Sequence, residues 1–208
     1  MSDITSLAEL RALYGVPKPA SLKKQTSALN SVYKQWLQHA RFFVIASVGA
    51  DGVDCAPRGD AQNNAFAIIN DNLIAIPDRR GNNRLDTLSN ILTDGRVALL
   101  FFVPGIAQTI RIVGTASVST DPTLLDLFIE NNEPPVSCIR VSIDAVFFQN
   151  ARALTRSALW QAKSQLEAQQ LPSPGQMIAS IDPEFDADAY DARQTSGNNA
   201  DGDKGHTT

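Results

Sequence analysis

NDNLIAIPDRRGNNRLDTLSNILTDGRVALLFFVPGIAQTIR, residues 70–111, is the stretch whose reading decides the fold. An apolar run from Leu73 to Pro77 gives way to a loop carrying Arg79, Arg80, Gly81, Asn82, Asn83 and Arg84. Leu85, Leu88, Ile91 and Leu92 then recur at helical spacing as far as Gly95, before the apolar run RVALLFFV begins at Arg96. The pattern predicts a strand, a short amphipathic helix capped at Gly95, and a central strand. Where a strand passes into a helix, backbone N–H groups lack partners and an anion is welcome. Three arginines at that point suit a phosphate; they suit equally a solvated loop in which they pair with Asp78 and Asp86.

Outward from this segment the chain reads as antiparallel sheet. RFFVIASV from Arg41 reaches Ala50-Asp51-Gly52, a hairpin signal, and a second strand leaves toward Pro57. AFAIIND and NLIAIP form another hairpin about Asn70, Asp71 and Asn72. QTIRIVGTASVST alternates through Ile110, Ile112, Val113 and Val118, with Gly114 placed as a bulge or barrel bend requires. SCIRVSIDAVFFQN is the last strand. Strands with so few intervening helices predict a mainly β fold, a six-stranded antiparallel barrel, closed or half-closed, with peripheral helices.

Two helices are expected before residue 40, in SLAELRALYG and SALNSVYKQWLQHA, and a further helix in PTLLDLFIEN. Residues 151–170 read as helical up to the breaks at Pro172 and Pro174. The compact domain is expected to span 1–182, leaving 183–208 as a disordered acidic tail that ends in GNNADGDKGHTT.

With 208 residues, 43% of them hydrophobic, the chain can bury a full core. A net charge of -4 and dispersed basic residues argue against a nucleic-acid partner. No run approaches a membrane span, and the acidic N-terminus is unlike a signal peptide, so a cytoplasmic location is expected. Cys55 and Cys138 are too few for a disulfide framework and lack metal-ligand spacing, and His39 and His206 are isolated. No zinc site and no catalytic triad follow from these residues, and none of them is named as catalytic.

APRGD at 56–60, IPDRRGNNR at 76–84, QTIRIVGTA from Gln108 and FFQNARALTRSALW at 147–160 form an ordered series of blocks. In that series the chain resembles the FMN-binding split barrel of the pyridoxamine 5'-phosphate oxidase family, over residues 6–182 and most of all in its FMN-dependent flavoprotein branch. The resemblance implies that Arg58, Arg79, Asn82, Asn83 and Arg84 hold the FMN phosphate, with Asp78 orienting the arginines. Guanidinium groups grip phosphate oxygens in pairs, which agrees with that assignment. It further implies that Gln108, Thr109 and Arg111 meet the pyrimidine edge of the flavin, where an arginine would stabilise reduced flavin. On an alternating strand Arg111 could instead face solvent.

Family sites lie between two subunits, so the resemblance implies a homodimer with FMN at its interface and Arg156, Ser157 and Trp160 near the ring. Trp160 could equally bury itself on the barrel. The family's Arg-x-His substrate motif has no counterpart in this chain, so the resemblance implies FMN redox chemistry on another small-molecule substrate rather than pyridoxamine phosphate oxidation. The alternatives are a deazaflavin-dependent reductase on the same fold and a non-catalytic flavin carrier or sensor. A haem carrier would need an axial ligand that His39 and His206 do not offer.

Overall fold

The computed structural model describes residues 3–61, 64–81, 83–167 and 170–202. The chain forms two compact units, Met1–Trp160 and Gln161–Thr208. The first holds helices α1 (Leu7–Tyr14), α2 (Pro19–Leu22), α3 (Ser31–Leu37), α4 (Asp86–Thr93), α5 (Pro122–Leu125) and α6 (Arg152–Arg156). Its strands are β1 (Gln25–Thr26), β2 (Phe42–Gly49), β3 (Gly52–Gly59), β4 (Ala67–Asn70), β5 (Leu73–Asp78), β6 (Arg96–Phe102), β7 (Gln108–Ser119) and β8 (Ser137–Asn150).

One antiparallel sheet runs β3-β2-β6-β7-β8-β5-β4, and β1 pairs β8. This is the expected split barrel, with eight strands rather than six. Two-residue β1 is too short to show any alternation, and four-residue β4 is a brief edge. The expected hairpins are present: Val48 pairs Val53 across Ala50–Asp51, and Asn70 pairs Leu73. Between β7 and β8 the register shifts at Val113/Gly114. A Cβ on Gly114 would lie 2.1 Å from the Ser142 carbonyl oxygen, so only glycine lets the two strands approach this closely at the bend.

Alternation fills the interior. Phe43 and Ile45 of β2, Leu99 and Phe101 of β6, and Ile110 and Ile112 of β7 are all buried. Phe43 stacks on Phe101 with centroids 4.8 Å apart, and Phe66 meets both rings edge-on. The other face of the same strands carries Phe42, Val44, Leu100 and Phe102, which stay exposed or half-buried.

Three expectations need correction. Helix α4 buries Thr87 and Ile91 and packs Leu88 against the core, while Leu92 is 77% and Leu85 51% exposed, so only half of the expected row faces inward. The side-chain amide of Asn90 donates to Ser47 Oγ on β2, which fixes the helix with the Thr87–Ile91 face inward. Helix α6 stops at Arg156 instead of running toward Gln170, because Ala158 takes φ +54 and reverses the chain.

In the second unit, Pro174–Ala179 forms α7 and Ala187–Gly202 forms α8, so part of the segment read as disordered is helical. Its anchor is Asp191, whose carboxylate accepts the Gly175 N–H at 2.8 Å and the Ser173 hydroxyl. A composition-based reading does not register such a single polar tie. Residues 203–208 lie outside the described ones.

Candidate functional site

The sheet is open where β3 ends it. Strand β4 pairs β5 only over Leu73–Ala75, leaving the Ile76–Asp78 half of that edge unpaired by β4. Between β3, the end of β5 and the start of α4 lies a cleft of about 690 Å³. By register Arg58 shares the core-facing side of the sheet with Phe43 and Phe101, so its side chain is directed into the mouth of this cleft. Arg58, Asp78, Arg79, Asn83 and Arg84 all line it. Asn82 lies outside the described residues.

Each arginine has a carboxylate near it. An Arg58 guanidinium nitrogen is 3.8 Å from Asp78 Oδ2, and the same side chain donates to the Pro57 carbonyl at 3.0 Å. Arg79 donates to the Phe128 carbonyl at 2.7 Å and pairs with Glu130 at 3.2 Å, which fixes it against the far wall. Arg84 Nε meets Asp86 Oδ2 at 2.5 Å, with 78% of the arginine side chain exposed. Of the two pairings that the sequence leaves open for the loop arginines, Arg84–Asp86 is made, whereas Asp78 meets Arg58 and Arg79 turns to Glu130. Such an exposed ion pair contributes about 0–1 kcal/mol, so exchanging Asp86 for another anion costs Arg84 little. Burial pushes the Asp78 carboxyl above its ordinary pKa, against the opposing pull of Arg58.

Backbone geometry adds donors. Asn83 and Leu85 both have φ 59, a conformation a leucine takes only when its surroundings impose it. Leu85 is the residue before α4, and no side chain caps the helix there. The first-turn residues Asp86, Thr87 and Leu88 line the cleft, and the N–H groups of a first helical turn have no partner within the helix. Ala56, Ala65, Pro77 and Leu88 supply apolar wall beside these polar groups.

The other expected residues lie elsewhere. Gly59, Phe42, Phe102 and Thr109 share one row across β3, β2, β6 and β7, so Thr109 is three strand spacings, roughly 14 Å, from the β3 end of the cleft. Thr109 is buried, Gln108 donates to Asn150 Oδ1 at 3.4 Å, and the Arg111 guanidinium lies 5.3 Å from the centre of the Phe147 ring. Arg156 and Ser157 are exposed at the end of α6, and Trp160 Nε1 donates to the Ile106 carbonyl at 3.0 Å. None of these six lines the cleft of its own chain. Sequence reasoning missed Glu130 and Thr87: the first meets Arg79 only through the fold, and the second reads as an ordinary helix residue.

Among curated proteins no sequence matches this chain. Of solved structures, HupZ from Group A Streptococcus is similar at 16% identity and a TM-score of 0.50, covering 59% of this chain and 96% of that one. General Stress Protein 26 from Bacillus anthracis is similar at 20% identity and 0.44, covering 55% and 88%. The FAD binding protein from Mycobacterium smegmatis is similar at 12% identity and 0.41, covering 60% and 97%. The first of these likenesses supports the fold alone. Residues 29–150, well over half of the chain, match the family model described as Pyridoxamine 5'-phosphate oxidase. With the split barrel and its open seam, that match makes this chain a member of the pyridoxamine 5'-phosphate oxidase family.

Proposed function

We propose that the protein is a homodimeric, cytoplasmic FMN flavoprotein that oxidises or reduces a small-molecule substrate. The observation that carries this reading is the convergence of Arg58, Arg84 and the uncapped first turn of α4 on one cleft. That donor set has the chemistry of a phosphate site. Arg84 and the α4 turn hold the phosphate, Arg58 neutralises it from β3, and Arg79, tied to Phe128 and Glu130, shapes the wall. Asn83 supplies a turn amide.

The cleft fits FMN on two further counts. Its volume of about 690 Å³ falls within the roughly 300–1,000 Å³ usual for cofactor sites, and its apolar wall suits a flat ring. The flavin supplies the hydride or electron chemistry when bound, and the chain supplies orientation and charge. No side chain is assigned as an acid or base.

As the resemblance implies, Gln108, Arg111, Arg156, Ser157 and Trp160 act on the ring in the partner's site; buried Thr109 supports the strand that carries Gln108 and Arg111. The half-exposed apolar face of β2 and β6 supports a dimer. Among the described residues no helix is long and apolar enough to cross a membrane.

The test is to purify the protein without added cofactor, record its visible spectrum and identify any released chromophore by mass. FMN at one per chain is expected. A colourless protein that takes up no added FMN would overturn the reading.

A further inference from the structure

The inward row of β2 runs Phe43, Ile45, Ser47: two core side chains followed by a serine that is 1% exposed. A buried hydroxyl costs free energy unless it is hydrogen-bonded, so an apolar side chain would be the ordinary occupant of that position. Its partner is Asn90 of α4, whose side-chain amide donates to Ser47 Oγ at 3.1 Å. Two residues further along β2, Gly49 makes room for the same side chain. A Cβ on Gly49 would lie 1.9 Å from Asn90 Oδ1 and 2.7 Å from its Cγ. Gly49 does not take a left-handed conformation, so its backbone would accept any residue. What its missing side chain provides is space for Asn90.

These three residues join the two sides of the cleft. Ser47 and Gly49 belong to the β2–β3 hairpin, in which Ser47 pairs Asp54 and Phe43 pairs Arg58. Asn90 follows Asp86 and Thr87 by one helical turn and so lies on the side of α4 that carries them, while Arg84 stands just before the helix. The apolar contacts that α4 makes with the core, through Leu88 and Ile91, are non-directional. Among the described residues, Asn90–Ser47 is the one side-chain hydrogen bond between α4 and the sheet.

We infer that Ser47, Gly49 and Asn90 form a positioning clamp for the cofactor phosphate, holding Arg84 and the first turn of α4 in fixed relation to Arg58. None of the three lines the cleft, so they act through the groups that do. A binding constellation works when residues outside it hold it within about 0.5 Å of its geometry. Without the clamp, α4 keeps its apolar contacts but can turn on them, and the phosphate donors at its start lose their register with β3. The inference rests on the phosphate site proposed above.

The experiment measures FMN and riboflavin affinities side by side, by fluorescence quenching, for the wild type, Ser47→Ala, Gly49→Ala, Asn90→Ala and the Gly49→Ala/Asn90→Ala double variant. Riboflavin carries the same ring without the phosphate, so the ratio of the two affinities reads the phosphate site, while riboflavin binding itself reads the fold. Each single variant is expected to lose about fivefold of that ratio, with riboflavin affinity kept within about twofold, the loss being that of one ordinary hydrogen bond. The double variant is expected to match Asn90→Ala, because Gly49 acts only through Asn90. An unchanged ratio in any single variant, equal losses for both ligands, or additive losses in the double variant overturn the clamp and leave the phosphate site standing. A wild type that binds riboflavin as tightly as FMN, or binds neither, overturns the phosphate site and the clamp together.

Discussion

Arg58 on β3 and Asp78 at the end of β5 approach to 3.8 Å across a gap that no backbone ladder closes. The seam of the barrel is joined there by side chains. Burial acts on Asp78 more strongly than the arginine does, so its carboxyl titrates above its ordinary value. A carboxyl whose pKa is raised by folding favours the native state most at low pH, below its unfolded value, and that favour is lost as pH rises through the native value.

Asp78→Asn is accordingly expected to melt at a higher temperature than the wild type at pH 7. The difference should vanish below the unfolded pKa of 3.8. Thermal unfolding at both pH values checks it, and an equal gain at the two would sink the assignment of the effect to Asp78 ionisation.

Arg84 has a cheap ion pair to exchange, whereas Arg80 lies outside the main cleft. Losing a charge-assisted hydrogen bond costs about 1.5–3 kcal/mol, so Arg84→Ala should weaken FMN binding by about tenfold or more. Arg80→Ala should leave it within about twofold, and neither should shift stability by more than about 0.5 kcal/mol. Fluorescence quenching titrations of both variants decide the point; equal effects would remove Arg84 from the phosphate site.

If Arg156 serves the partner's cofactor, chains carrying Arg84→Ala and chains carrying Arg156→Ala should complement one another. Each mixed dimer would then hold one doubly altered site and one intact site, and bind FMN at the intact one. Titration of purified mixed dimers tests this. Binding no tighter than in either parent would show that Arg156 acts within its own chain or not at all.

Gly114→Ala would drive a Cβ to 2.1 Å from the Ser142 carbonyl oxygen, and backbone on both strands must give way. Overpacking of this kind costs about 2–3 kcal/mol. Urea unfolding should report the loss; a difference under about 0.5 kcal/mol would mean that the bulge relaxes freely.

The sheet was legible because its strands alternate and its turns carry the residues that turns require. Ala50-Asp51-Gly52, Asn70-Asp71-Asn72 and Gly114 each mark in sequence what they do in space. The cleft was half legible. Arg79 and Arg84 stand in an evident strand-to-helix loop, and both line the cleft.

The partner that holds Arg79, Glu130, is brought to it only by the fold, and no local spacing reveals it. The left-handed turn at Leu85 is equally silent, since leucine is not a turn residue and the surroundings impose that conformation. Leu88 and Ile91 of the expected α4 row do meet the core, but Leu85 and Leu92 do not, because helical spacing names a stripe without saying how it is centred on the sheet. That choice is made by Asn90 and Ser47.

Strand β3 ends the sheet with one edge unpaired, and the cleft runs along that edge. An open edge is a template on which another chain can add a strand. A ligand that filled the cleft would also cover that template. On the function proposed above, protein lacking its cofactor would then present an open edge, and the state of the cleft would govern how readily copies of the chain adhere to one another.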